Sequence, residues 1–357
     1  MNRRHVLKAA GTLATMNTLG LSARAQDKNR LIVPPEEAPH QATFMQWPVS
    51  REVHSDPYFL KLLQETIADI ANAIVSFEPV IMLAAKADHK KARRYLSGKI
   101  ELWDIPTEDL WCRDSGPLFA HQSNGKLAVS HIKFNGWGNK QVHRRDGKIA
   151  KAVAERLGVT VINSGVVGEA GGVEHDGHGL LMAHESSWAN KNRNPGMSRG
   201  EIENRLLQAY GAERMIWSPG VWGEDITDYH IDSLARFTGP GRVLINLPLN
   251  PNSHDSFHKA ALDTHDTLEN AGMDIDVIYE PEKRRVKSRD FVASYANYYV
   301  CNGGLIAAQF GDNEFDLEAV AALKRHYPNR EIVMLNVDAL GEIGGGIHCA
   351  TQQMPVE

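Results

Sequence analysis

A cysteine beside a histidine, in a glycine-rich segment near the end of the chain, has the residue types needed for nucleophilic catalysis. The segment runs Gly344-Gly-Gly-Ile-His-Cys349-Ala-Thr-Gln-Gln-Met-Pro355. Glycines let the backbone approach a ligand closely or take up a positive φ, so a small molecule can reach a thiol held there. The thiolate is the reactive form, and such a site therefore needs a base or a positive field nearby. The other interpretation is an inert, buried cysteine beside a turn.

The composition is that of an ordinary globular protein with a free thiol. The chain has 357 residues, of which 42% are hydrophobic and 23% charged, enough for one large domain or two smaller ones. Three cysteines, at positions 112, 301 and 349, are an odd number, which argues against a disulfide framework. The formal net charge of −5 disfavours nucleic acid as a partner and weakly favours cationic ligands.

The amino terminus has the pattern of an export signal. Asn2-Arg-Arg-His-Val-Leu-Lys8 resembles a twin-arginine signal, and the apolar stretch Ala9 to Leu21 is too short and too polar to span a bilayer permanently. Ala23-Arg-Ala25 then fits a cleavage site. We therefore interpret residues 1–25 as a twin-arginine signal peptide and residues 26–357 as a single catalytic domain of a periplasmic or otherwise exported protein. The alternative is a cytoplasmic protein with a basic tail.

Helical and strand patterns alternate along the rest of the chain, which favours an α/β fold. Asp56-Pro57 is a helix start, and Ser198-Arg-Gly-Glu201 is a capping box that opens a helix ending near Gly211. The other predicted elements are strands at 80–84, 100–105, 159–162, 243–247, 275–279, 295–300, 305–310 and 331–337, and helices at 86–96, 148–157, 255–271 and 315–326.

Two details fit a doubly wound parallel sheet poorly. Some strand pairs have the pattern of hairpins, such as the pair around Asn302-Gly303, and no Gly-x-Gly-x-x-Gly follows the first strand. A ring of small strand–strand–helix–strand units would account for both details. Periodicity alone does not reveal such a repeat.

Two segments in the first half of the chain carry side chains that could bind a cation. Trp111-Cys-Arg-Asp114-Ser-Gly-Pro117 places an aromatic ring, a cation and a carboxylate just after a predicted strand, and Phe134-Asn-Gly-Trp-Gly138 is an aromatic and glycine loop. Alone, Asp114 has a structural explanation as the acceptor of a turn. Neither segment alone indicates a binding site, and a functional interpretation depends on the other segments described below.

Two later segments add an acid and a histidine. Glu169-Ala-Gly-Gly-Val173 places a carboxylate before two glycines, although Glu169 alone could simply cap a helix. In Asp228-Tyr-His230-Ile-Asp232 the polar residues alternate, so on an extended segment Asp228, His230 and Asp232 would share one face. A lone His230 is more often a hydrogen-bonded core residue than a catalytic one.

Together these segments closely resemble the agmatine deiminase family, within the guanidine-modifying (pentein) superfamily of five-bladed α/β propellers. The resemblance runs from about Gln46 to Pro355 and includes bacterial peptidyl-arginine deiminase-like members. The motifs that carry it are Trp111-Cys-Arg-Asp-Ser-Gly-Pro117, Phe134-Asn-Gly-Trp-Gly138, Glu169-Ala-Gly-Gly172, Asn192-Arg-Asn-Pro195, Asp228-Tyr-His-Ile-Asp232 with Arg236-Phe237, Ser294-Tyr-Ala-Asn297 and Gly344 to Pro355.

The resemblance implies catalytic roles for three residues. Cys349 would be the nucleophile, His230 the general acid and base, and Glu169 the group that holds His230 and stabilises its positive charge. The implied reaction converts agmatine to N-carbamoylputrescine and ammonia, a step of putrescine biosynthesis, through a covalent amidino-thioether on the cysteine. Neither a metal nor an organic cofactor is implied, and the partner is a small-molecule guanidine.

The resemblance also implies how the substrate is held. Asp114 and Asp232 would grip the guanidinium, and Trp111 would form a wall against its planar face. A guanidinium is planar and always charged, so two carboxylates can fix its carbon before the sulfur through charge-assisted hydrogen bonds.

The sequence departs from the family pattern around the histidine. Ala170 and Tyr229 stand where glycine is usual, and Ser187 stands where family members often have cysteine. The loop that contains His175 and His178 carries two extra histidines, for which a metal site with Asp176 is a minor alternative. These departures bear on side-chain specificity rather than on the type of reaction.

Several alternatives remain open. Within the class, the substrate could be free arginine or arginine in a peptide, and an amidinotransferase would share the covalent step. A periplasmic guanidine or polyamine-binding protein without catalysis is the alternative of another class, but the presence of Cys349 and His230 argues against it. A papain-like hydrolase would have its nucleophile near the mature amino terminus.

The export signal makes a direct prediction. If residues 1–25 are cleaved, protein isolated from its native cell has the mass of a chain that begins at Gln26. Intact-mass spectrometry checks this. A full-length chain recovered from the cytosol would contradict export.

Overall fold

The computed structural model describes residues 30–288 and 291–357. The proposed signal peptide lies outside the described residues. The strands within the described ranges are β1 Leu31–Ile32, β2 His40–Gln46, β3 Val80–Ala84, β4 Glu101–Asp104, β5 Leu118–Gln122, β6 Leu127–Lys133, β7 Thr160–Val167, β8 Val173–His175, β9 Leu180–His184, β10 Arg214–Ser218, β11 Ala235–Gly239, β12 Arg242–Leu247, β13 Asp274–Tyr279, β14 Tyr299–Cys301, β15 Gly304–Gln309, β16 Glu331–Asn336 and β17 Thr351–Pro355.

Long and single-turn helices are interspersed with these strands. They are α1 Pro57–Ile74, α2 His89–Ala92, α3 Cys112–Ser115, α4 Gly136–Asn139, α5 Ile149–Leu157, α6 Glu185–Trp188, α7 Arg199–Tyr210, α8 Ser256–Asn270, α9 Asn313–His326 and α10 Asp338–Gly341. None of the helices within the described ranges is long and apolar enough to cross a membrane.

Local sequence signals account for the ends of the long helices. The side chain of Asp56 accepts a hydrogen bond from the backbone N–H of Tyr58 at the start of α1, where Pro57 needs no backbone partner. Ser198 and Glu201 form a reciprocal capping box at the start of α7. Gly211 ends α7 at a φ of 72°, a left-handed conformation that glycine adopts without strain.

The strands form five separate sheets that share one pattern. Their strand orders are β1-β5-β6-β7, β10-β9-β8, β11-β12-β13, β14-β15-β16 and β17-β2-β3-β4. In each sheet an antiparallel pair is followed by a parallel pair, as in β11-β12 and then β12-β13. The parallel step follows a helix, for example α8 between β12 and β13. The fold is therefore α/β, and the strand–strand–helix–strand unit suggested by the hairpin patterns recurs in it.

The two ends of the described chain meet in one sheet. β17, the last strand, pairs antiparallel with β2, with Thr351 opposite Met45. This pairing joins the carboxy-terminal cysteine segment to the first long strand. The largest apolar cluster contains residues from both ends, including Met45, Trp111 and Cys349. The cysteine segment is thus part of the main core.

Two predicted elements are shorter in the structure than the sequence predicted. The helix predicted at 86–96 ends at Ala92, and beyond it Asn72 binds the backbone of Tyr95 and Ser97. The strand predicted at 295–300 begins only at Tyr299, because the preceding N–H groups bind side chains, as that of Tyr295 binds Asn246. The irregular segment frees residue 297 to face the cysteine.

Adjacent leucines on α1 provide a test of how this helix packs. Leu63 is 0% exposed and Leu62 is 45% exposed. Leu63→Ala should lower the free energy of unfolding by about 2 to 5 kcal/mol, because it leaves a cavity, whereas Leu62→Ala should cost about 0.5 kcal/mol or less. Chemical denaturation of both variants measures the difference. Equal losses would contradict the helix orientation.

Candidate active site

The residues singled out from the sequence converge on one pocket. Trp111, Asp114, His230, Asp232 and Cys349 line a cavity of about 310 Å3, including its open mouth. Glu169, the sixth residue singled out, does not line the cavity and lies behind His230. The pocket combines two carboxylates, a histidine and a thiol, all of which are buried.

Each of these groups comes from a segment that links one sheet to the next. Asp114 lies between β4 and β5, Glu169 between β7 and β8, His230 between β10 and β11, Asn297 between β13 and β14, and Cys349 between β16 and β17. Five successive links between sheets therefore meet at the site. Residues that are far apart in sequence become neighbours because these links meet at the site.

Close backbone approach explains the glycines before the cysteine. A Cβ on Gly345 would lie 2.6 Å from the ring of Trp111, and one on Gly346 would lie 2.5 Å from Oδ1 of Asn297. Both positions therefore have space only for hydrogen. The glycines let the Cys349 segment pack between the indole that walls the pocket and the amide that contacts the sulfur.

The thiol of Cys349 is held in a negative field. Its Sγ lies 3.1 Å from Nδ2 of Asn297 and 3.4 Å from Oδ2 of Asp232. Burial, followed by the charges of Asp232 and Asp114, raises the pKa of Cys349 well above its ordinary value. Of the base or positive field that a reactive thiol needs, the charges nearest the sulfur do not supply the field, because they are carboxylates.

His230 is placed between two carboxylates. Its Nε2 lies 3.3 Å from Oε2 of Glu169, and its Nδ1 lies 3.8 Å from Oδ1 of Asp114. Burial alone would lower the pKa of His230, but Asp114, Glu169 and Asp232 raise it to about 9. At neutral pH the imidazole is therefore a cation with a proton to give.

Glu169 is fixed by an arginine on its far side. Nε of Arg193 donates to both carboxylate oxygens of Glu169, at 3.1 and 2.8 Å. Nη1 of the same guanidinium donates to Asp228 at 2.7 Å. The side chain of Glu169 accepts no helix-capping hydrogen bond, so the capping explanation does not apply. Its position next to His230 agrees with the role implied by the resemblance.

Two hydrogen bonds, from an indole and from a backbone amide, orient the carboxylate of Asp114 in the pocket. Nε1 of Trp137 donates to its Oδ2 at 2.8 Å, and the N–H of Gly171 donates to its Oδ1 at 3.2 Å. Burial raises the pKa of Asp114 to about 6, against the lowering effect of His230. Asp114 is thus ionised at neutral pH and loses its charge in mild acid.

Asp232 presents one carboxylate oxygen without a partner. Its Oδ2 accepts a hydrogen bond from Nδ1 of His348 at 2.8 Å, while its Oδ1 is buried and has no partner. Burial would raise the pKa of Asp232, but the hydrogen bond and charge of His348 hold it below its ordinary value. A buried, charged and unpaired oxygen in a pocket is suited to a cationic hydrogen-bond donor.

The expectation that Asp228 shares a face with His230 and Asp232 is wrong. Asp228 and Tyr229 have φ values of 59° and 67°, so the segment is not extended, and Ile231–Ser233 forms a helical turn. Asp228 turns away and binds Arg193 and, at 2.8 Å, Lys140. Left-handed residues disrupt the two-residue alternation on which the expectation was based.

The residues that depart from the family pattern lie outside the pocket wall. The ring of Tyr229 stacks on His184 with 4.6 Å between centroids, and it does not line the pocket. In the extra-histidine loop, Oδ1 of Asp176 accepts from the backbone of His178 and Leu180, which forms a turn. None of these departing residues lines the pocket.

The structure adds partners to which the sequence assigned no role. They are Asn297 at the sulfur, Trp137 at Asp114, Arg193 at Glu169 and His348 at Asp232. All four occur in motifs that carry the family resemblance. Their contacts cross between sheets, so only the closed fold shows which partner each one has.

Comparisons with known proteins agree with this geometry. The model of the Porphyromonas-type peptidyl-arginine deiminase family matches residues 32–355. The chain belongs to this family. A Streptomyces coelicolor protein with the provisional name agmatine deiminase is 32% identical over 335 residues, which cover 90% of this chain and 98% of that protein. The chain is accordingly a hydrolase that acts on guanidine C–N bonds.

Solved structures support the same assignment. A structure described as agmatine deiminase of Enterococcus faecalis catalysing its reaction has a TM-score of 0.81 and 25% identity, and covers 91% of this chain and 96% of that one. A Porphyromonas gingivalis protein provisionally named arginine deiminase has a TM-score of 0.80 and 27% identity, with 92% and 98% covered.

Gly171 provides a test of the pocket geometry. A Cβ there would lie 2.7 Å from Oδ1 of Asp114, 3.0 Å from Nδ1 of His230 and 3.1 Å from Oδ2 of Asp232. Gly171→Ala should displace these groups and lower kcat/KM by about 100-fold, as misplacement by an ångström does. Steady-state kinetics and a melting curve measure the effect. The control is Gly200→Ala on α7, where a Cβ meets nothing within 4 Å; comparable activity of both variants would contradict this geometry.

Proposed function

We propose that the protein deiminates agmatine to N-carbamoylputrescine and ammonia through a covalent intermediate on Cys349. The observation that carries the proposal is the position of the thiol against Asp232, with Asp114 and His230 in the same buried pocket. This arrangement provides a nucleophile, two anions for a guanidinium and a protonated acid for the leaving nitrogen. It needs no metal to polarise the substrate, because the substrate is already a cation.

Substrate binding activates the nucleophile in this proposal. The guanidinium donates to Asp114 and to the free Oδ1 of Asp232, which places its carbon beside Sγ. Its positive charge offsets the carboxylate charges that keep the thiol neutral, so the pKa of Cys349 falls. The thiol proton is lost to water at the mouth of the pocket, and Asp232, whose Oδ2 lies 3.4 Å from the sulfur, stays ionised. The reactive thiolate thus forms only when a substrate is present.

The covalent step requires an acid on the opposite side. The thiolate forms a bond to the guanidinium carbon, and His230 donates its proton to the departing nitrogen, which leaves as ammonia. Neutral His230 then takes a proton from water, whose oxygen attacks the amidino-thioether. The C–S bond breaks, the hydroxyl proton of the intermediate passes to the sulfur, and the ureido product leaves. Glu169 stabilises the imidazolium at both ends of the cycle.

The walls of the pocket favour agmatine over free arginine. Ile226, Ile343, Trp111 and Trp137 provide apolar surface for the methylene chain, and the lining residues within 30–288 and 291–357 include neither Lys nor Arg. The α-carboxylate of free arginine would enter without a cation, and an unpaired buried charge costs several kcal/mol. The amine of agmatine avoids this cost.

A peptidyl-arginine substrate is the second candidate because the matching family model is described by that activity. The size of the cavity, about 310 Å3 with its mouth, favours a compact substrate instead. We also propose that the five sheets are the five blades of a pentein-type propeller. The support for this arrangement is the recurring strand unit and the pairing of β17 with β2. Export by the twin-arginine route remains part of the proposal.

The experiment compares agmatine, free arginine and a blocked arginine peptide by kcat/KM, with ammonia and ureido product measured together. We expect agmatine to be preferred, and Cys349→Ser to lose at least about 1,000-fold in kcat while remaining folded. The control is Cys112→Ala, which removes a buried thiol that does not line the pocket. Preference for the peptide would replace agmatine with peptidyl-arginine. Undiminished ammonia release by Cys349→Ser would refute the covalent route.

A further inference from the structure

A chain of buried hydrogen bonds leads from the nucleophile away from the substrate pocket. Sγ of Cys349 lies 3.4 Å from Oδ2 of Asp232, and that oxygen accepts from Nδ1 of His348 at 2.8 Å. Nε2 of His348 in turn lies 2.9 Å from Oε2 of Glu36. Ionised carboxylates accept but do not donate, so both ring nitrogens of His348 face hydrogen-bond acceptors. The mechanism above uses only the first contact of this chain.

The far end of the chain is firmly anchored. Glu36 accepts hydrogen bonds from Nη2 of Arg113 at 3.0 Å and from the backbone N–H of Val300 at 2.8 Å, and Nη2 of Arg236 lies 3.1 Å from its Oε1. Burial opposes the charge of Glu36, but Arg236, His348 and Arg113 hold its pKa well below the ordinary value. Glu36 is thus a fixed anion that orients the imidazole of His348.

Asp232 requires such support because its surroundings disfavour its charge. The carboxylate is 0% exposed, and the anionic Asp114 shares its pocket. From the pocket side it faces His230 and Cys349, and from the other side it faces His348. The remaining charged or titratable groups packed around His348 and its anchor are Glu36, Glu174, Arg113 and Arg236. Among these described groups, only His348 donates a hydrogen bond to the Asp232 carboxylate from a side-chain nitrogen.

We propose that His348 is a positioning residue, which keeps Asp232 ionised and leaves its Oδ1 free to receive the guanidinium. The inference rests on the proposed function, since it assigns Asp232 to substrate binding. Oδ2 is occupied by His348 and faces the thiol, so the rotation of the carboxylate is fixed and Oδ1 is the oxygen left for the substrate. His348 touches neither the substrate nor the reacting atoms and acts through Asp232.

The first test is kinetic and uses His348→Gln and His348→Ala. Loss of a charge-assisted hydrogen bond to a buried carboxylate should lower kcat/KM at neutral pH by about 10- to 100-fold, mainly through KM. Without His348 the pKa of Asp232 rises, so the acid limb of the pH profile should move to higher pH. Glutamine can still donate one hydrogen bond, so His348→Gln should retain more activity than His348→Ala.

The matched control is His175→Gln. His175 lines the cavity behind the site together with Glu36 and His348, and its ring packs against Tyr210. Burial lowers the pKa of His175 to about 4, so it contributes no charge at neutral pH. This variant should keep the kcat/KM and the acid limb of the unchanged protein. An equal loss in His175→Gln and His348→Gln would overturn the proposal in favour of general disturbance of the cavity.

A second readout does not depend on the substrate. Iodoacetamide alkylation of Cys349, followed across pH, reports the pKa of the thiol. If Asp232 takes up a proton when His348 is removed, the nearest negative charge disappears and the thiol pKa falls. If Asp232 stays ionised without His348, an uncompensated anion remains 3.4 Å from the sulfur and the thiol pKa rises.

The two readouts separate the two proposals. A fall in the thiol pKa of the His348 variants supports the positioning role, and a rise or no change overturns it. If no guanidine is turned over by the unchanged protein, the proposed function fails, while alkylation still decides the coupling between His348 and Asp232. Melting curves confirm that each variant is folded before either measurement.

Discussion

The site depends on keeping carboxylates charged where water cannot reach them. Asp114, Asp232 and Glu169 lie within one buried cluster, where both burial and mutual repulsion favour their neutral forms. Each carboxylate has its own compensation: Trp137 donates to Asp114, and His348 donates to Asp232. Glu169 is paired with Arg193 and with the imidazole of His230. The result is a pocket in which two carboxylates lie beside the thiol and, together with burial, raise the pKa of Cys349 well above its ordinary value.

The fold provides these compensations because it brings five separate links between sheets to one place. Asp114, Glu169, the pair His230 and Asp232, and Cys349 come from four different links. Two supporting partners, Trp137 and Arg193, come instead from connections within a sheet, β6 to β7 and β9 to β10. Pairing of β17 with β2 places Cys349 against the Asp114 segment, whose Arg113 N–H donates to the carbonyl of Cys349 at 3.0 Å. A pocket built in this way is rigid, because moving one group would leave another buried charge without its partner.

The sequence predicts local features well and cross-sheet contacts poorly. The helix starts at Asp56 and Ser198 follow from capping chemistry within a few residues, and the structure confirms both. The six site residues were identified by family resemblance, and they do meet in one site. The orientation of Asp228 was mispredicted, because alternating polar residues do not reveal that Asp228 and Tyr229 have positive φ values. Asp232 and His348 are 116 positions apart in the sequence, so their hydrogen bond forms only in the folded protein.

The central claim is that the empty site holds a neutral thiol and that a bound guanidinium activates it. Titration of the thiolate ultraviolet absorbance of Cys349, with Cys349→Ser as the blank, measures this directly in the absence and presence of a guanidine that binds without reacting. The account predicts no thiolate at neutral pH in the empty protein and a clear fall in the thiol pKa when the guanidine binds. A thiolate already present at neutral pH in the empty protein would contradict it.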